Sequence, residues 1–378
     1  MSTNNFDAIL LTSFGGPEGQ DEVVPFLERV TAGRGIPAER LLEVGQHYVR
    51  LGGVSPINAQ NRALLAALRE ALPARNINLP IYWGNRNSQP FFADVLKEIH
   101  AAGHRRVLAL VTSAYSSYSG CRQYRENLAE ALAVTGLGDE LEIVKVRQYF
   151  DMPGFQAPMA DDLTSALIRF SSQYSADEIR VFFTTHSIPT SMAETSGPDE
   201  LREQNAAVGG TYVAQHLAVA EAIMAKVAAQ AESAGAGNRT LPRWDLVYQS
   251  RSGSPHTPWL EPDINDALTE AQATGYRAAI VVPIGFISDH VEVIWDLDTQ
   301  AAETAAGLGL DYYRVQTAGI DPRFVEGIAD LLEEKLAAAV AANGGTAAGD
   351  AAATAGFCST NCCLNQRASL PVIAGPAG

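Results

Sequence analysis

The chain has 378 residues, 47% of them hydrophobic, which is enough for two domains with separate buried cores. Its formal net charge of -16 argues against a broad nucleic-acid-binding surface, because such a surface needs clustered cations. The longest uninterrupted apolar run, AAIVVPIGFI, has only ten residues, about half of what a membrane span requires.

The chain begins MSTNNFDAILLTSF, a stretch without the basic residues and the cleavage site of a secretory signal. We therefore expect the protein to act in the cytoplasm, where disulfides seldom persist. The chain has 4 cysteines, and in that compartment grouped thiols more often bind a metal or take part in redox chemistry than form structural bridges.

Short, strongly apolar runs rich in β-branched residues predict eight strands along the chain. In chain order they are DAILLTSF (7–14), LPIYWG (79–84), RRVLALVT (105–112), LEIVKVRQY (141–149), IRVFFTTH (179–186), DLVYQS (245–250), AAIVVPIGF (278–286) and LDYYRVQT (310–317). Such runs are typical of parallel strands covered by helices on both faces. The sequence therefore predicts an α/β fold of two Rossmann-like, doubly wound lobes with four parallel strands each, and a ligand at the strand carboxyl ends in a central cleft.

Amphipathic stretches between these strands predict helices, among them NRALLAALREAL (61–72), FFADVLKEIHAAG (91–103), YRENLAEALAVTG (124–136), MADDLTSALIRFSSQ (159–173) and EPDINDALTEAQATG (261–275). The first lobe is predicted at residues 1–150 and the second at 151–319. A helix at 320–342 is expected to pack back on the first lobe. Residues 343–357 have neither periodicity nor bulky side chains, so they predict a flexible linker to a cysteine segment at 358–378.

Two loops of the first lobe contain groups that hold planar or anionic ligands. RLGGVSPINAQN places Ser55 before a helix, where its hydroxyl and nearby N–H groups could bind an anion or simply cap the helix. SAYSSYSGCRQYREN combines Tyr118, Arg122 and Tyr124, whose aromatic faces and guanidinium suit a large flat carboxylate. Each of these residues could equally belong to an ordinary surface loop.

Polar side chains also follow two predicted strands of the second lobe. VFFTTHSIP ends a strand with His186, which could accept protons or bind metal, or be a hydrogen-bonded core histidine. In VVPIGFISDHVEVIWDLDTQ a helix is predicted to open at Ser288 or Asp289. Glu292, Asp296 and Gln300 then recur every four residues on one helical face, where they could carry a divalent cation or protons; an acidic first turn that favours the helix dipole is the alternative.

Five motifs in this order resemble the ferrochelatase family, from about residue 6 to residue 342: LLTSFGGPE, LGGVSPINAQ, THSIP, YQSRSGSPHTPWLEP and PIGFISDHVEVIWDLD. The resemblance implies two Rossmann-like lobes that hold a porphyrin, and insertion of ferrous iron into it. It maps His186 and Glu292 onto the residues that face each other across the macrocycle in the family. Asp296 would share the metal and proton path with Glu292.

The resemblance also implies porphyrin-contacting positions. Ser55 and Tyr124 match positions in the family's porphyrin-contacting loops, and Phe14 falls where other members carry Tyr or Met over the ring. Tyr118 and Arg122 belong to the same candidate set. Because Phe14 cannot ligate iron, Tyr124 is the candidate axial ligand.

GFCSTNCCLNQR, near the end of the chain, holds three of the four cysteines. Four thiolates complete an all-cysteine site for either zinc or a 2Fe-2S cluster. The chain resembles the actinobacterial ferrochelatases that carry a 2Fe-2S cluster, which implies ligation by Cys121, Cys358, Cys362 and Cys363. The cluster would then clip the tail to the first lobe, with zinc as the alternative.

The same resemblance implies coproporphyrin III as the substrate and Fe-coproporphyrin III (coproheme) as the product. Protoporphyrin IX, giving protohaem, is the alternative substrate. A cobalt or nickel chelatase would rely on paired histidines, and His290 is the obvious companion to His186 here. A non-enzymatic iron–sulfur or porphyrin sensor would not need the HSIP and SDHVE motifs. We expect a monomer that passes its product to the next haem-pathway enzyme.

Overall fold

The computed structural model describes residues 6–33, 35, 37–233, 240–252, 256–343 and 359–373. Within these ranges the strands form two four-stranded sheets in which every pairing is parallel. Helices connect the strands, as parallel pairing demands. The predicted α/β class with four parallel strands in each of two sheets is confirmed. Cys358 and the predicted linker beyond Asn343 lie outside the described residues.

The eight strands lie where the apolar runs predicted them. They are β1 Ala8–Ser13, β2 Ile81–Asn85, β3 Arg106–Val111, β4 Glu142–Lys145, β5 Ile179–His186, β6 Arg243–Gln249, β7 Ala278–Val282 and β8 Asp311–Arg314. Six are shorter than predicted, β5 has the predicted bounds, and β6 begins two residues earlier. The strand order is β2-β1-β3-β4 in the first sheet and β6-β5-β7-β8 in the second. The strand order therefore reverses at β1/β3 and at β5/β7, and the carboxyl ends at such a reversal are where open α/β sheets bind ligands.

The helices fall between and after the strands. They are α1 Gln20–Val30, α2 Ala38–Arg50, α3 Ile57–Ala71, α4 Phe92–Ala101, α5 Gln123–Thr135, α6 Pro153–Phe170, α7 Thr190–Glu194, α8 Asp199–Asn205, α9 Thr211–Ser233, α10 Ile264–Ala273, α11 Val291–Val293, α12 Ala302–Leu308 and α13 Pro322–Asn343. Short 3-10 turns lie at Leu72–Arg75, Ala176–Glu178 and Ala206–Val208, and π-helical turns at Tyr118–Arg122 and Ile294–Ala301.

The chain divides into two compact units. The first contains Met1–Tyr149, Ser196–Glu200 and Val325–Gly378, and the second contains Phe150–Thr195 and Leu201–Phe324. The core of the first unit joins β1, β3, α4 and α5, and Ile373 of the tail is buried within it. The core of the second unit joins β5, β6 and β7 to α10 and α12. The tail therefore packs into the first unit by an apolar contact of its own.

One predicted element differs from the structure. The strand predicted at 278–286 ends at Val282, and the helix expected to open at Ser288 or Asp289 begins at Val291. Pro283 follows β7 directly, and since proline lacks a backbone N–H it cannot continue the ladder. The helix then continues as the π-helical Ile294–Ala301, in place of the regular α-helix that the spacing of acidic residues predicted.

A membrane-spanning helix would have to be both long and apolar. Among the helices that the structure describes, none meets both conditions.

Candidate functional site

His186 is the last residue of β5, at the reversal of strand order in the second sheet. Its ring Nδ1 makes a short hydrogen bond to the carbonyl oxygen of Ser187. Because a carbonyl can only accept, Nδ1 donates in this bond, and Nε2 is the ring nitrogen left for other partners. The backbone here is also fixed, since the Tyr212 hydroxyl donates to the carbonyl of His186 over 2.9 Å. His186 therefore presents Nε2 in a defined orientation.

Glu292 lies opposite that nitrogen. Its Oε2 is 3.8 Å from Nε2 of His186, and the side chains are 47% and 31% exposed respectively. Glu292 belongs to α11, which starts directly after the loop that follows β7. The carboxyl end of β5 and the loop after β7 therefore bring these two residues together. A carboxylate and an imidazole at this distance can share a proton or a metal ion.

Asp296 lies one turn further, in the π-helix Ile294–Ala301. Burial raises the pKa of Asp296 to about 7, and the hydrogen bond that it accepts from the hydroxyl of Ser250 offsets only part of this rise. The side-chain amide of Gln249 also approaches its Oδ2, at 3.5 Å. Asp296 is therefore a carboxyl group that gains and loses a proton near neutral pH.

The loop between β7 and α11 is fixed by a buried arginine. Arg314 of β8 makes two hydrogen bonds to Asp289, of 3.2 and 3.1 Å, and two to Asp298 of the π-helix, of 2.8 and 2.7 Å. Thr317 also donates to Asp289 over 3.0 Å. These contacts hold both ends of the segment that carries Glu292. Asp289 therefore holds the loop that carries Glu292. It does more than place a negative charge at the N-terminus of a helix.

His290, the possible second histidine, packs edge-on against Phe286 with ring centroids 5.0 Å apart. Burial lowers the pKa of His290. Its ring is therefore a neutral partner of the apolar loop, and no contact pairs it with His186 as a second metal ligand in the described residues.

In the first unit, Phe14 follows β1 and Ser55 precedes α3. The Phe14 ring meets Phe26 at 6.0 Å between centroids, and the Arg86 guanidinium lies 5.4 Å from its centroid. Ser55 is buried against Gly16, where an added Cβ would lie 2.6 Å from the Ser55 Cβ. The loop after β1 and the turn before α3 are thus packed closely together, which requires glycine at position 16.

Tyr124 is buried in α5, beneath the Arg86 guanidinium, which lies 4.9 Å from its ring centroid. Burial raises the pKa of Tyr124, and hydrogen bonds with Arg86 and Thr112 lower it only in part. The phenol therefore stays protonated at neutral pH.

Arg122 and Tyr118 contact the C-terminal tail. The Arg122 Nε donates to Glu126 over 2.8 Å, and its Nη1 donates to the backbone carbonyls of Thr360 and Cys362. The Tyr118 hydroxyl donates to Glu126 over 3.1 Å and accepts from Asn365 over 3.2 Å. The guanidinium of Arg122 is therefore buried and hydrogen-bonded to the chain itself.

Three cysteines lie in one buried cluster of the first unit: Cys121, Cys362 and Cys363. Cys121 sits in the π-helical turn Tyr118–Arg122 between β3 and α5. Cys363 has a φ of 54°, in the left-handed region, and its Sγ is 3.6 Å from that of Cys362. This unusual backbone turns two consecutive side chains to the same side.

The cluster has the donor set of a thiolate-ligated group. Hydrogen bonds with Cys121 and Cys362, together with burial, raise the pKa of Cys363 well above its usual value. Three such thiols cannot all ionise side by side unless a cation compensates them. Within the described ranges no group of three or more His, Cys, Asp or Glu side chains is arranged to hold a metal ion. Cys358 lies outside these ranges.

Several site residues were not predicted from the sequence. Ser250 and Gln249 end β6 beside Asp296, Arg314 holds the loop that carries Glu292, and Arg86 covers Phe14 and Tyr124. Ser250 is the last residue of the predicted strand 245–250 and lies within a quoted motif, so its place at a strand end was an available signal. Arg86 and Arg314 had no such signal, because their roles depend on partners distant in sequence.

Comparison with known proteins identifies the family of the chain. The model of the family described as Ferrochelatase matches residues 6–336. The chain is 52% identical over 374 residues to a protein of Streptomyces griseus subsp. griseus named coproporphyrin III ferrochelatase, covering 98% of this chain and 96% of that protein. A protein of the same name from Streptomyces coelicolor is 51% identical over 99% of this chain and 97% of its own length.

Among solved structures, SirB from Bacillus subtilis with Fe3+ aligns with a TM-score of 0.44 and 11% identity, covering 88% of this chain and 96% of that one. A similarity of this size supports no conclusion about function. The family match spans most of the chain, and it includes both His186 and Glu292. The chain belongs to the ferrochelatase family.

Proposed function

We propose that the protein inserts ferrous iron into coproporphyrin III and releases Fe-coproporphyrin III, a step of haem biosynthesis. The observation that carries this proposal is the 52% identity, over nearly the whole of both chains, to a protein named coproporphyrin III ferrochelatase. The geometry around His186 supplies the groups that the reaction needs. Iron and porphyrin are both substrates.

The reaction replaces two pyrrole protons by one ferrous ion, so the protein has to accept two protons and deliver one dehydrated cation. We assign the first proton to Nε2 of His186, whose lone pair is left free because Nδ1 donates to Ser187. A base held in one orientation reduces the reorganisation needed in the transition state. Its neighbour Glu292, 3.8 Å away, shares the proton or holds the incoming iron.

Asp296 is assigned to onward proton transfer and to the metal path. With a pKa of about 7 it is partly ionised at neutral pH, so it can take a proton from the Glu292 side and return it to solvent. A group with a lower pKa would hold protons too weakly to relay them. Ser250 is a positioning residue, because its hydroxyl donates to Asp296.

For the porphyrin we assign contacts to Phe14, Ser55, Tyr118 and Tyr124. The ring of Phe14 offers flat apolar surface, and Arg122 of the predicted set stays assigned to a propionate. Arg86, whose guanidinium lies over the rings of Phe14 and Tyr124, is added to this set as a second positive charge.

The four cysteines are assigned to a 2Fe-2S cluster, with Cys121, Cys362 and Cys363 as three ligands and Cys358 as the fourth. When bound, such a cluster supplies a one-electron redox couple and a covalent link between α5 and the tail. No step of the metallation is assigned to it. Zinc in the same thiolates is the competing occupant, which iron and sulfide analysis distinguishes.

We further propose that the protein works in the cytoplasm as a monomer and hands Fe-coproporphyrin III to the enzyme that follows it. These assignments are checked by sedimentation of the purified protein and by transfer of labelled product to a partner that decarboxylates it.

The test is anaerobic purification followed by metallation assays. Coproporphyrin III or protoporphyrin IX is mixed with ferrous iron, and the shift of the porphyrin absorption bands is followed. We expect the higher kcat/KM with coproporphyrin III. Equal or faster turnover of protoporphyrin IX would replace the substrate assignment, and turnover only with cobalt or nickel would replace the metal.

The matched variant for this test is His186→Ala. We expect it to abolish metallation while porphyrin binding, measured by fluorescence quenching, remains close to wild type. Intact turnover in this variant would remove His186 from the mechanism. A protein that binds iron and sulfide but metallates neither porphyrin would instead support a sensor.

A further inference from the structure

Helix α9 contains a fully buried histidine that the proposed metallation does not use. Nδ1 of His216 lies 2.7 Å from the carbonyl oxygen of Tyr212, one turn earlier in the helix. Because a carbonyl can only accept, Nδ1 donates in this bond. Burial lowers the pKa of His216 to about 3, so the ring is neutral near pH 7. Its Nε2 therefore has no proton and can only accept.

His216 sets the direction of the hydrogen bonds around it. The hydroxyl oxygen of Thr185 is 2.8 Å from Nε2 of His216, and since that nitrogen is an acceptor, Thr185 donates. The same hydroxyl oxygen lies 2.7 Å from the hydroxyl oxygen of Tyr212. Thr185 has only one hydroxyl proton and gives it to His216, so in this second bond Tyr212 is the donor.

The Tyr212 hydroxyl also reaches the backbone that carries His186. It donates to the carbonyl oxygen of His186 over 2.9 Å, so its one proton is shared between two acceptors at the end of β5. The next N–H group in the chain, that of Ser187, donates to the carbonyl of Gln249 over 2.7 Å. The peptide between His186 and Ser187 is thus held at its carbonyl by α9 and at its N–H by β6.

This network is shielded from water. Thr185 is 1% exposed, Tyr212 is 6% exposed, and the rings of Tyr212 and His216 lie 4.4 Å apart on one face of α9. Both ring nitrogens of His216 have partners, so the buried imidazole leaves no polar atom of its ring unsatisfied. A buried polar network whose groups are all hydrogen-bonded makes its surroundings rigid.

We propose that Tyr212, oriented by Thr185 and His216, is a positioning residue that keeps the imidazole of His186 aligned for metallation by fixing the peptide that follows it. This inference rests on the proposed function of His186 as a base. The hydrogen bonds of the Tyr212 hydroxyl go to Thr185 and to the backbone of His186. We therefore expect Tyr212 to act through the orientation of His186 and not through contact with the porphyrin.

The experiment compares the full-length wild type with Tyr212→Phe, which keeps the ring and removes only the hydroxyl. The matched control is Tyr149→Phe. Tyr149 is 1% exposed, and its hydroxyl donates over 2.9 Å to the carbonyl of Val111, the last residue of β3. We measure kcat and KM for coproporphyrin III and ferrous iron. NMR of protein with isotope-labelled histidines reports on the imidazole of His186, whose signal is assigned by its absence in His186→Ala.

We expect Tyr212→Phe to lower kcat about tenfold and to leave the KM for the porphyrin within about twofold of wild type, because a misaligned base slows the reaction without weakening binding. The imidazole signal of His186 should shift in this variant. Tyr149→Phe should keep both the wild-type kcat and the wild-type signal of His186.

Two variants of His216 separate orientation from packing. Glutamine still offers an acceptor oxygen to the Thr185 hydroxyl, whereas leucine offers none. His216→Leu should therefore lower the Tm more than His216→Gln does, because a buried hydroxyl loses its acceptor. It should lower kcat less than Tyr212→Phe does, because the Tyr212 hydroxyl can still donate to the carbonyl of His186.

A kcat of Tyr212→Phe within about twofold of wild type would overturn the inference, since a base that stays aligned needs no such support. Equal losses of kcat in Tyr212→Phe and Tyr149→Phe would overturn it as well, because they would reflect a general loss of stability. A wild type that metallates no porphyrin would refute the proposed function instead. The NMR comparison then decides the inference: an unshifted His186 signal in Tyr212→Phe refutes it, and a shift confined to this variant supports it.

Discussion

At the scale of single residues, the site depends on where protons are held. The bond from Nδ1 of His186 to Ser187 selects the tautomer, and burial sets Asp296 to titrate near neutrality. Chain packing around the strand ends imposes both properties. A histidine and an aspartate in a flexible loop would have neither.

The pH dependence of the reaction should therefore follow Asp296. Because its pKa is about 7, its basic form accumulates as the pH rises through 7, and we expect the metallation rate to rise with it. In Asp296→Asn the rate should be lower and this rise should be lost. The measurement is kcat/KM between pH 5.5 and 8.5, with the exposed Asp266→Asn as a control that keeps the wild-type profile.

The stability of the same pair of proteins gives a second check. Folded Asp296 keeps its proton to a higher pH than the unfolded chain does, so between pH values of about 4 and 7 stability falls as the pH rises. From pH 5 to pH 8, wild type should lose roughly 1–3 kcal/mol more than Asp296→Asn. If the free energy of unfolding changed by the same amount from pH 5 to pH 8 in both proteins, this would argue against a raised pKa of Asp296.

Gly285, which follows β7 in the chain, has no room for a larger side chain. An added Cβ would lie 2.2 Å from Oγ1 and 2.7 Å from Cα of Thr185, the residue that precedes His186. Gly285→Ala should therefore destabilise the protein by about 1–3 kcal/mol and disturb His186. Chemical denaturation measures this.

The control is Gly307→Ala, in α12, where nothing lies within 4 Å of the added Cβ. It should stabilise the protein by about 0.5–1 kcal/mol, because alanine is the better helix former. Similar effects at both positions would mean that close packing at Gly285 is unimportant.

At the scale of elements, Arg314 fixes the irregular segment that carries Glu292. The side chain of Arg314 is only 9% exposed, and it pairs with Asp289 before α11 and with Asp298 in the π-helix. π-Helical turns are rare and often occur at functional sites. This one contains Asp296, which lies between Asp289 and Asp298, the two partners of Arg314. Arg314 is thus a support for the acidic residues.

Arg314→Met should leave two carboxylates without their partner. We expect a loss of about 3–5 kcal/mol in the free energy of unfolding, and a reduced kcat with little change in KM for porphyrin. The matched control is Arg277→Met, whose pair with Glu178 is 62% and 35% exposed, and which should cost at most about 1 kcal/mol. Equal losses in both variants would contradict a supporting role of Arg314.

The tail is held at the same scale by α5. Arg125 donates to the carbonyl of Ser359 over 3.1 Å and to that of Ile373 over 3.3 and 3.2 Å, and its own carbonyl accepts from the N–H of Ile373. Arg125→Ala should free the tail, giving faster cleavage in limited proteolysis within residues 359–373. Arg40→Ala, which breaks an exposed pair with Glu43, should leave the cleavage rate unchanged. An unchanged rate in both would mean that Arg125 does not hold the tail.

At the scale of the whole molecule, cysteines distant in the chain meet in one buried cluster, Cys121 from the region after β3 and the other two from the tail. A group bound there closes a loop of more than 200 residues. Binding to the folded state alone stabilises that state, so the occupant should contribute to the stability of the whole protein.

Cys362→Ser should abolish the visible absorbance of the purified protein and lower its Tm. The reason is loss of one thiolate ligand and with it the covalent link between tail and α5. Absorbance, iron content and thermal denaturation are measured together, with Ser359→Ala as a nearby tail substitution that should keep the colour. Colour that survives in Cys362→Ser would exclude this cysteine as a ligand.

The sequence by itself determined the eight strands and their parallel class. The apolar pattern of the sequence shows where each strand ends. Because the strands of a sheet are parallel, their carboxyl ends lie at the same edge of that sheet. Helices α1, α2 and α9 were not among the named predictions, although α9 is alanine-rich and long.

Only the tertiary structure decided which groups neutralise each other. Arg122 lies one residue from Cys121, yet its partners are Glu126 and the tail carbonyls. Asp296 looks like any acidic residue of a helix until burial raises its pKa. Spacing along the chain reports local geometry, whereas burial and charge pairing depend on residues that folding brings from elsewhere, and local sequence does not encode their distances.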